Sequence, residues 1–298
     1  MSAEIVPYAE SVDRSPVAVC VPQQAANDGE VLRFWLAGRP VRTVREYQRE
    51  AVAFLQFTGK PLQQITLGDV VGYLGTRIGF APATQARTLN VLKSLFTFAC
   101  RIGYCRFNVA ATMKQPAIRA TLAERILPEA AVHRIIALEQ DTRNHCILRL
   151  FYASGVRVAE LLALRWRDCQ ARENGGQITV YGKGGKTRAV VLPVGPWQEL
   201  VSLRSGADLD GPVFVSTRTG GHLSQPQAWR IVRKAARRAG IVLPVSPHWM
   251  RHAHASHALD RGAPISLVQA TLGHSSISTT GRYLHARPTE SSGKYLAV

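Results

Sequence analysis

The sequence predicts a mainly α-helical protein with one small β-hairpin or sheet, built as a helical unit followed by an α+β unit. Three observations lead there. Apolar residues recur at helical spacing along most of the chain from Thr43 onward. One stretch instead alternates: "QITVY" and "TRAVVLP" are β-branched segments around a glycine-rich turn, the pattern of a hairpin. Between the two units, "KQPAIRATLAER", residues 114–125, has no core pattern and contains Pro116, so it is expected to be a linker. A chain of 298 residues, 46% hydrophobic, can bury one large core or two ordinary ones.

Taken in order, residues 1–30 are polar and aperiodic and are expected to form a flexible leader. Residues 31–113 carry three clear helices. "TVREYQREAVAFLQFTG" opens with Thr43 and Glu46 at capping-box spacing, repeats Val44, Tyr47, Ala51, Phe54 and Leu55 on one face, and stops at Gly59. "TLGDVVGYLGTRIG" has Thr66 as its N-cap. "PATQARTLNVLKSLFTFACRIG" puts Leu89, Leu92, Leu95, Phe96 and Ala99 on one stripe. Arg77, Arg87, Lys93 and Arg101 lie off these apolar faces and give the unit a basic exterior.

Residues 126–298 begin with helical patterns in "LPEAAVHRIIALE", "TRNHCILRLFYASG" and "VRVAELLALRWRD". The hairpin follows, then "PVFVSTRTGGHLS", expected as a strand and turn. "QAWRIVRKAARRAG" is a strongly basic helix with Arg230, Arg233, Lys234, Arg237 and Arg238. In "SPHWMRHAHASHALDRG", Ser246 suits the cap and Pro247 the first helical position, so His248 and Arg251 share a face at i, i+3. Gly281 is expected either inside the short helix that carries Tyr283, weakening it by ~1 kcal/mol relative to alanine, or as an ordinary helix-end glycine.

The net charge of +17 favours a polyanionic partner, nucleic acid before an acidic membrane surface. Its distribution matters. Residues 1–30 carry one basic and five acidic residues, 31–115 twelve and three, and 116–298 twenty-four and twelve. Both predicted units are basic; the leader is not. No apolar run approaches the ~18 residues of a membrane span, and no signal-peptide pattern opens the chain. The five cysteines form no C-x-x-C pair, so a reducing cytoplasm is expected and neither a disulfide framework nor a zinc cluster is. His248 and His252 stand at i, i+4, but Trp249 occupies the place of the glutamate in H-E-x-x-H, so no metal is expected there; His252, His254 and His257 are assigned to packing or surface. "YGKGGKT" looks like the end of an ATPase phosphate loop. Val180 stands where its first glycine belongs, and a strand rather than a helix follows, so no nucleotide site is expected.

Four stretches, in this order, carry a family resemblance: "GVRVAELLAL", "GKGGKTR", "SPHWMR" and "LGHSSISTTGRY", spread over about 130 residues. Together they resemble the tyrosine recombinases, or phage-type integrases, and the chain is Xer-like in size and layout. The helical first unit resembles that family's SAM-like core-binding domain, including "GYCRFNVA", where Val109 replaces the usual proline. The resemblance implies an α+β catalytic domain with Arg157, Lys183, His248, Arg251, His274 and Tyr283 as its active-site residues, Tyr283 as nucleophile, His248 as base, and Lys183 rather than Lys186 as acid. It implies that Glu160 orients Arg157. It implies strand cleavage and rejoining through a 3′-phosphotyrosine, without metal, ATP or cofactor. Its implied partners are duplex DNA at specific sites and a homo-oligomer, a tetramer on two sites, or a related recombinase, with no membrane. Arg77, Arg87, Lys93, Arg101, Arg230, Arg233, Lys234 and Arg237 become candidate DNA contacts. The tail, residues 284–298, either lies on its own domain or, as the resemblance favours, exchanges between subunits. A type IB topoisomerase shares this chemistry but needs a helical arm before the tyrosine, and the nine-residue step from His274 to Tyr283 leaves no room for one. Six filled positions argue against a purely DNA-binding role. Xer-type resolution and mobile-element integration both remain open.

Overall fold

The computed structural model describes residues 24–119, 121–182 and 185–284. Lys183 and the tail from residue 285 therefore lie outside the described residues. The chain divides into two compact units, residues 1–119 and 120–298, a boundary inside the stretch 114–125.

Among its described residues the first unit packs four α-helices: α1 (Asp28–Leu36), α2 (Val41–Thr58), α3 (Leu67–Gly75) and α4 (Pro82–Arg101). Its core holds Trp35, Phe54, Tyr73, Leu92, Leu95 and Phe96; fully burying a side chain such as Phe54 contributes about 1.5–3 kcal/mol. Helix α1 starts inside the stretch expected to be leader. Asn27 accepts the Glu30 N–H at 3.0 Å and caps it. The Asp28 carboxylate then accepts from the Leu62 N–H at 3.0 Å and from the Tyr104 hydroxyl at 2.7 Å. These bonds fix the start of a helix whose Val31 and Trp35, at i, i+4, are buried in the core. Helix α2 starts before Thr43, directly after Pro40, so Thr43 sits in the first turn and is not the cap. Thr66 and Asp69 do form the capping box of α3.

The second unit contains α5 (Glu129–Ala137), α6 (Thr142–Ser154), α7 (Val158–Leu162), β1 (Cys169–Arg172), β2 (Gly175–Tyr181), β3 (Thr187–Leu192), α8 (Val194–Ser202), α9 (Gln225–Arg238), α10 (Pro247–Asp260), α11 (Ile265–Leu272) and α12 (Ile277–Gly281). The predicted hairpin is β2–β3, with Tyr181 opposite Thr187 and Ile178 opposite Val190. An unforeseen strand, β1, extends it to a three-stranded antiparallel sheet in the order β1-β2-β3. The core of the unit gathers Ile147, Phe151, Leu161, Trp166, Ile178, Leu192, Phe214, Val232 and Met250.

Three local expectations are corrected. The helix predicted over "VRVAELLALRWRD" is only α7, followed by a 3₁₀ turn at Trp166–Asp168. "PVFVSTRTGGHLS" forms no strand, only isolated bridges such as Val215 to His222. Gly281 is the last residue of α12, and Tyr283 lies in the turn after it, its N–H donating to the Thr280 carbonyl at 3.0 Å. Gly281 thus ends the helix and does not weaken its middle. Ser246 holds the N-cap position of α10 but makes no side-chain cap bond.

Candidate active site

The site is built where three chain segments meet: the α6–α7 junction, the start of α10, and the α11–α12 junction. Gly155 ends α6 in the left-handed region at φ 60°. A Cβ there would also lie 2.5 Å from the His254 ring, so only glycine fits. The turn makes Arg157 the N-cap residue of α7, and Glu160 one turn on receives both its backbone N–H and its Nη1, each at 2.8 Å.

Glu160 is 6% exposed and holds a second guanidinium. Arg188, on β3, donates Nη1 to Glu160 Oε1 at 3.0 Å and Nη2 to Oε2 at 2.8 Å. Burial alone would raise the Glu160 carboxyl, but the bonds from Arg188 and Arg157 prevail and draw it down to about 2. It is a carboxylate at any working pH.

Arg251, on α10, is 2% exposed. It donates Nη1 to the Gly155 carbonyl at 2.7 Å and Nη2 to the Leu272 carbonyl at 2.8 Å. Burial and the Arg157 charge pull its pKa down to about 10, which still leaves it cationic at neutral pH. Its two backbone carbonyl partners satisfy its N–H donors without cancelling its charge.

The C-terminal end of α11 is the common anchor. Gly273 closes it in the left-handed region at φ 64°. The Gly273 and His274 N–H groups return to the Ala270 and Gln269 carbonyls at 3.1 and 3.2 Å. The next three carbonyls each accept from a different arginine: Thr271 from Arg188 Nε at 2.8 Å, Leu272 from Arg251, and Gly273 from Arg157 Nη2 at 3.2 Å. Helix-end carbonyls need such donors, and the negative end of the helix dipole favours cations.

His274 follows at once. Its Nδ1 lies 2.9 Å from Thr280 Oγ1, and its ring stacks on Tyr283 with centroids 6.4 Å apart and a 4° interplanar angle. Burial, then Arg251 and Arg157, lower its pKa to about 4. Tyr283 is 5% exposed and packs with Ile126, Ala255, Val268 and Leu272. Its Oη lies 2.8 Å from His252 Nδ1. Burial raises the phenol pKa against the pull of Arg251 and Arg282, and burial with His248 lowers His252 to about 3. Both groups are neutral at pH 7. His248 sits one turn before His252 with ring centroids 4.3 Å apart; it lines a small cavity of about 90 Å³ with Arg157, Arg251 and Trp229. Burial and Arg251 lower it as well. A larger cleft of about 670 Å³ is lined by Arg157, Lys186, Arg188 and His274.

Five of the six residues singled out for the site, Arg157, His248, Arg251, His274 and Tyr283, are thus brought together. Two further residues join them. His252, assigned above to packing or surface, is the group that meets the Tyr283 hydroxyl among the described residues; the signal available was its place one turn after His248 on the same face. Arg188 shares the inward face of β3 with Val190 and Leu192, and a charge on an inward strand position requires a partner, which is the sequence signal for it. Among the described residues no group of three or more His, Cys, Asp or Glu is placed to hold a metal.

The basic candidates divide. On α9, Arg230, Arg233, Lys234 and Arg237 are all exposed, opposite the buried Ala228, Val232, Ala235 and Ala236. In the first unit Arg101 is exposed, and Arg87 is exposed but paired with Glu46 at 2.7 Å. Lys93 is half-buried, and Arg77 is drawn inward onto the Tyr73 hydroxyl at 2.6 Å and Glu50 at 3.4 Å.

The sequence profile of the phage integrase family matches residues 125–290, and that of the phage integrase N-terminal SAM-like domain matches residues 38–103. The chain belongs to the phage integrase family. Among curated relatives of this family member, tyrosine recombinase XerC of Thermodesulfovibrio yellowstonii is 32% identical over 266 residues, 83% of this chain and 87% of that protein. Among solved structures, XerH site-specific recombinase bound to palindromic difH substrate in a post-cleavage complex has the same fold, with TM-score 0.75 at 20% identity over 91% of this chain and 85% of that one. A lambda integrase tetramer bound to a Holliday junction also shares it, with TM-score 0.67 at 19% identity over 85% and 79% of the two chains.

Proposed function

We propose that this tyrosine-type site-specific recombinase cuts and rejoins duplex DNA through a covalent 3′-phosphotyrosine at Tyr283. The observation that carries the assignment of the site is the convergence of Arg157, Arg251, His274 and Tyr283 on the C-terminal end of α11. A phosphodiester is very slow to break, so an enzyme acting on it must supply an acceleration at or above the top of the ~10⁶–10¹⁷ range. Two permanently charged planar forks, Arg157 and Arg251, suit the non-bridging oxygens of the scissile phosphate, and loss of one such donor costs on the order of 10²–10³ in rate. His274, neutral, donates a further hydrogen bond. Tyr283 attacks phosphorus, its proton passes to His248, and Lys183 gives a proton to the leaving 5′ oxygen. The ester energy is kept in the phosphotyrosine, so the reverse attack by a 5′ hydroxyl rejoins the strand without ATP.

Because the phenol is 5% exposed and bonded to His252, the turn carrying Tyr283 has to swing outward for in-line attack. We place the reaction in the cytoplasm, on a tetramer at two DNA sites, formed by this chain alone or with a related recombinase; the tetrameric lambda integrase assembly supports that number. Among the described residues no helix is long and apolar enough to cross a membrane. The topoisomerase alternative is not favoured. Tyr283→Phe tests the core of the reading. It should bind its site with unchanged affinity and give no protein–DNA adduct on a denaturing gel with a nicked substrate. An adduct formed by that variant would remove Tyr283 from the role.

A further inference from the structure

The three consecutive carbonyls that end α11 receive three arginines, and the chemistry proposed above uses only two of them. We infer that Arg188 is a positioning residue for strand cleavage, setting the guanidinium of Arg157 through their shared partner Glu160 and tying β3 to the end of α11. This rests on the proposed role of Arg157 at the scissile phosphate.

The geometry is specific. Arg188 spends its Nη1 and Nη2 on the two oxygens of Glu160 and its Nε on the Thr271 carbonyl, so one planar fork joins β3, α7 and α11. Glu160 Oε1 is shared: it accepts from Arg188 Nη1 at 3.0 Å and from Arg157 Nη1 at 2.8 Å. The orientation of that carboxylate is therefore fixed by Arg188, and the carboxylate in turn fixes Arg157. The exposures show which arginine is the support and which faces outward. The Arg188 side chain is 15% exposed and that of Arg157 45%, with Glu160 at 4% between them.

The backbone accommodates the arrangement. A Cβ at Gly273 would lie 2.8 Å from Arg188 Nη1 and 3.0 Å from its Cζ, so the glycine before His274 is the space through which Arg188 reaches the helix end. Arg188 also lies just past the turn between β2 and β3, where the Gly182 N–H closes on the Lys186 carbonyl at 2.7 Å. One side chain thus registers the strand leaving that turn against both Arg157 and the His274 segment. Lysine cannot replace it, because a single ammonium cannot meet both carboxylate oxygens and a carbonyl in one plane. Misplacing a phosphate-holding group by about 1 Å is enough to cost on the order of 10² in rate.

The test compares Arg188→Lys, Arg188→Met and Arg157→Lys. Each is measured for thermal unfolding, for binding to a nicked site, and for single-turnover adduct formation at saturating protein. Scissile phosphates carry sulfur at one or the other non-bridging oxygen. The ratio of the two diastereomer rates reports where a guanidinium sits, which a loss of folded protein does not change. Arg188→Lys is expected to fold, to bind within about threefold of the parent, to cleave roughly 10–100-fold more slowly, and to shift the diastereomer ratio in the same direction as Arg157→Lys; Arg188→Met should do the same more severely. If Arg157→Lys shifts the ratio and Arg188→Lys does not, the positioning role is wrong while the phosphate role of Arg157 stands. If Arg157→Lys itself leaves the ratio unchanged, the phosphate role falls and this inference with it.

Discussion

At the residue scale, the site is a set of charges and neutral rings sorted by burial. Glu160 stays ionised because two arginines outweigh its desolvation, whereas His252 and His274 stay neutral because burial and nearby cations leave their protonated forms without support. This has a consequence for acid stability. The folded pKa of His252 is about 3, below its ordinary 6.5, so the unfolded chain binds its proton first as pH falls. Stability from this group is complete above pH 6.5 and declines from there toward about 3, because the unfolded state holds more protons throughout that window. His274 acts in the same sense down to about 4. Urea unfolding at pH 7 and pH 5 should therefore show a smaller loss of stability for His252→Phe than for the parent. An equal loss in both would mean that His252 is solvated. The motif residues were legible because each stands in a short local pattern. Arg188 and His252 were not, because their decisive partners, Glu160 and Tyr283, lie 28 and 31 positions away.

At the element scale, helix identities were readable and several boundaries were not. The stripe of Leu89, Leu92, Leu95, Phe96 and Ala99 is buried as its spacing predicts. The start of α2 was misplaced because Pro40, with φ fixed at −56°, begins the helix ahead of the Thr43 signal. The segment "PVFVSTRTGGHLS" has strand-like composition, but its pairing is reduced to single bridges, since Val213, Phe214 and Leu223 are held by the core without a ladder. The hairpin was legible from its turn and its alternation, and it is the element to which the proposed acid of the leaving-group step belongs in sequence. Its proposed acid, Lys183, is tested by the chemistry of the leaving group. Replacing the 5′ bridging oxygen with sulfur gives a leaving group that departs as a thiolate and needs no proton. Lys183→Ala should be slow on ordinary DNA and largely restored on the sulfur substrate, read as adduct formed per unit time. Equal impairment on both substrates would make Lys183 a phosphate-binding group and not the acid.

At the scale of the whole molecule, the charge is what a single number from the sequence predicts best and what the fold distributes. The +17 is not smeared evenly. On α9 it becomes a face, with Arg230, Arg233, Lys234 and Arg237 exposed on one side and alanine and valine buried on the other. In the first unit part of it is spent internally, as Arg77 on Tyr73 and Glu50 and Arg87 on Glu46 show. An arginine already held by a carboxylate releases fewer counterions on meeting DNA than a free one, so the α9 face should dominate the salt dependence of binding. Each phosphate neutralised adds about 0.9 to the slope of log affinity against log salt. Converting Arg230, Arg233, Lys234 and Arg237 together to glutamine should reduce that slope by about 3–4 if all four meet phosphates, and weaken specific and unrelated duplexes alike. Converting Arg77 and Arg87 to glutamine should change the slope by less than about 1. The measurement is a salt titration of binding to a single site with catalytically silent Tyr283→Phe protein, which keeps covalent capture out of the equilibrium. If the α9 variant kept the parent slope while Arg77 and Arg87 carried it, the exposed face of α9 would be a solvated surface, and the ion pairs of the first unit would have to open to bind DNA.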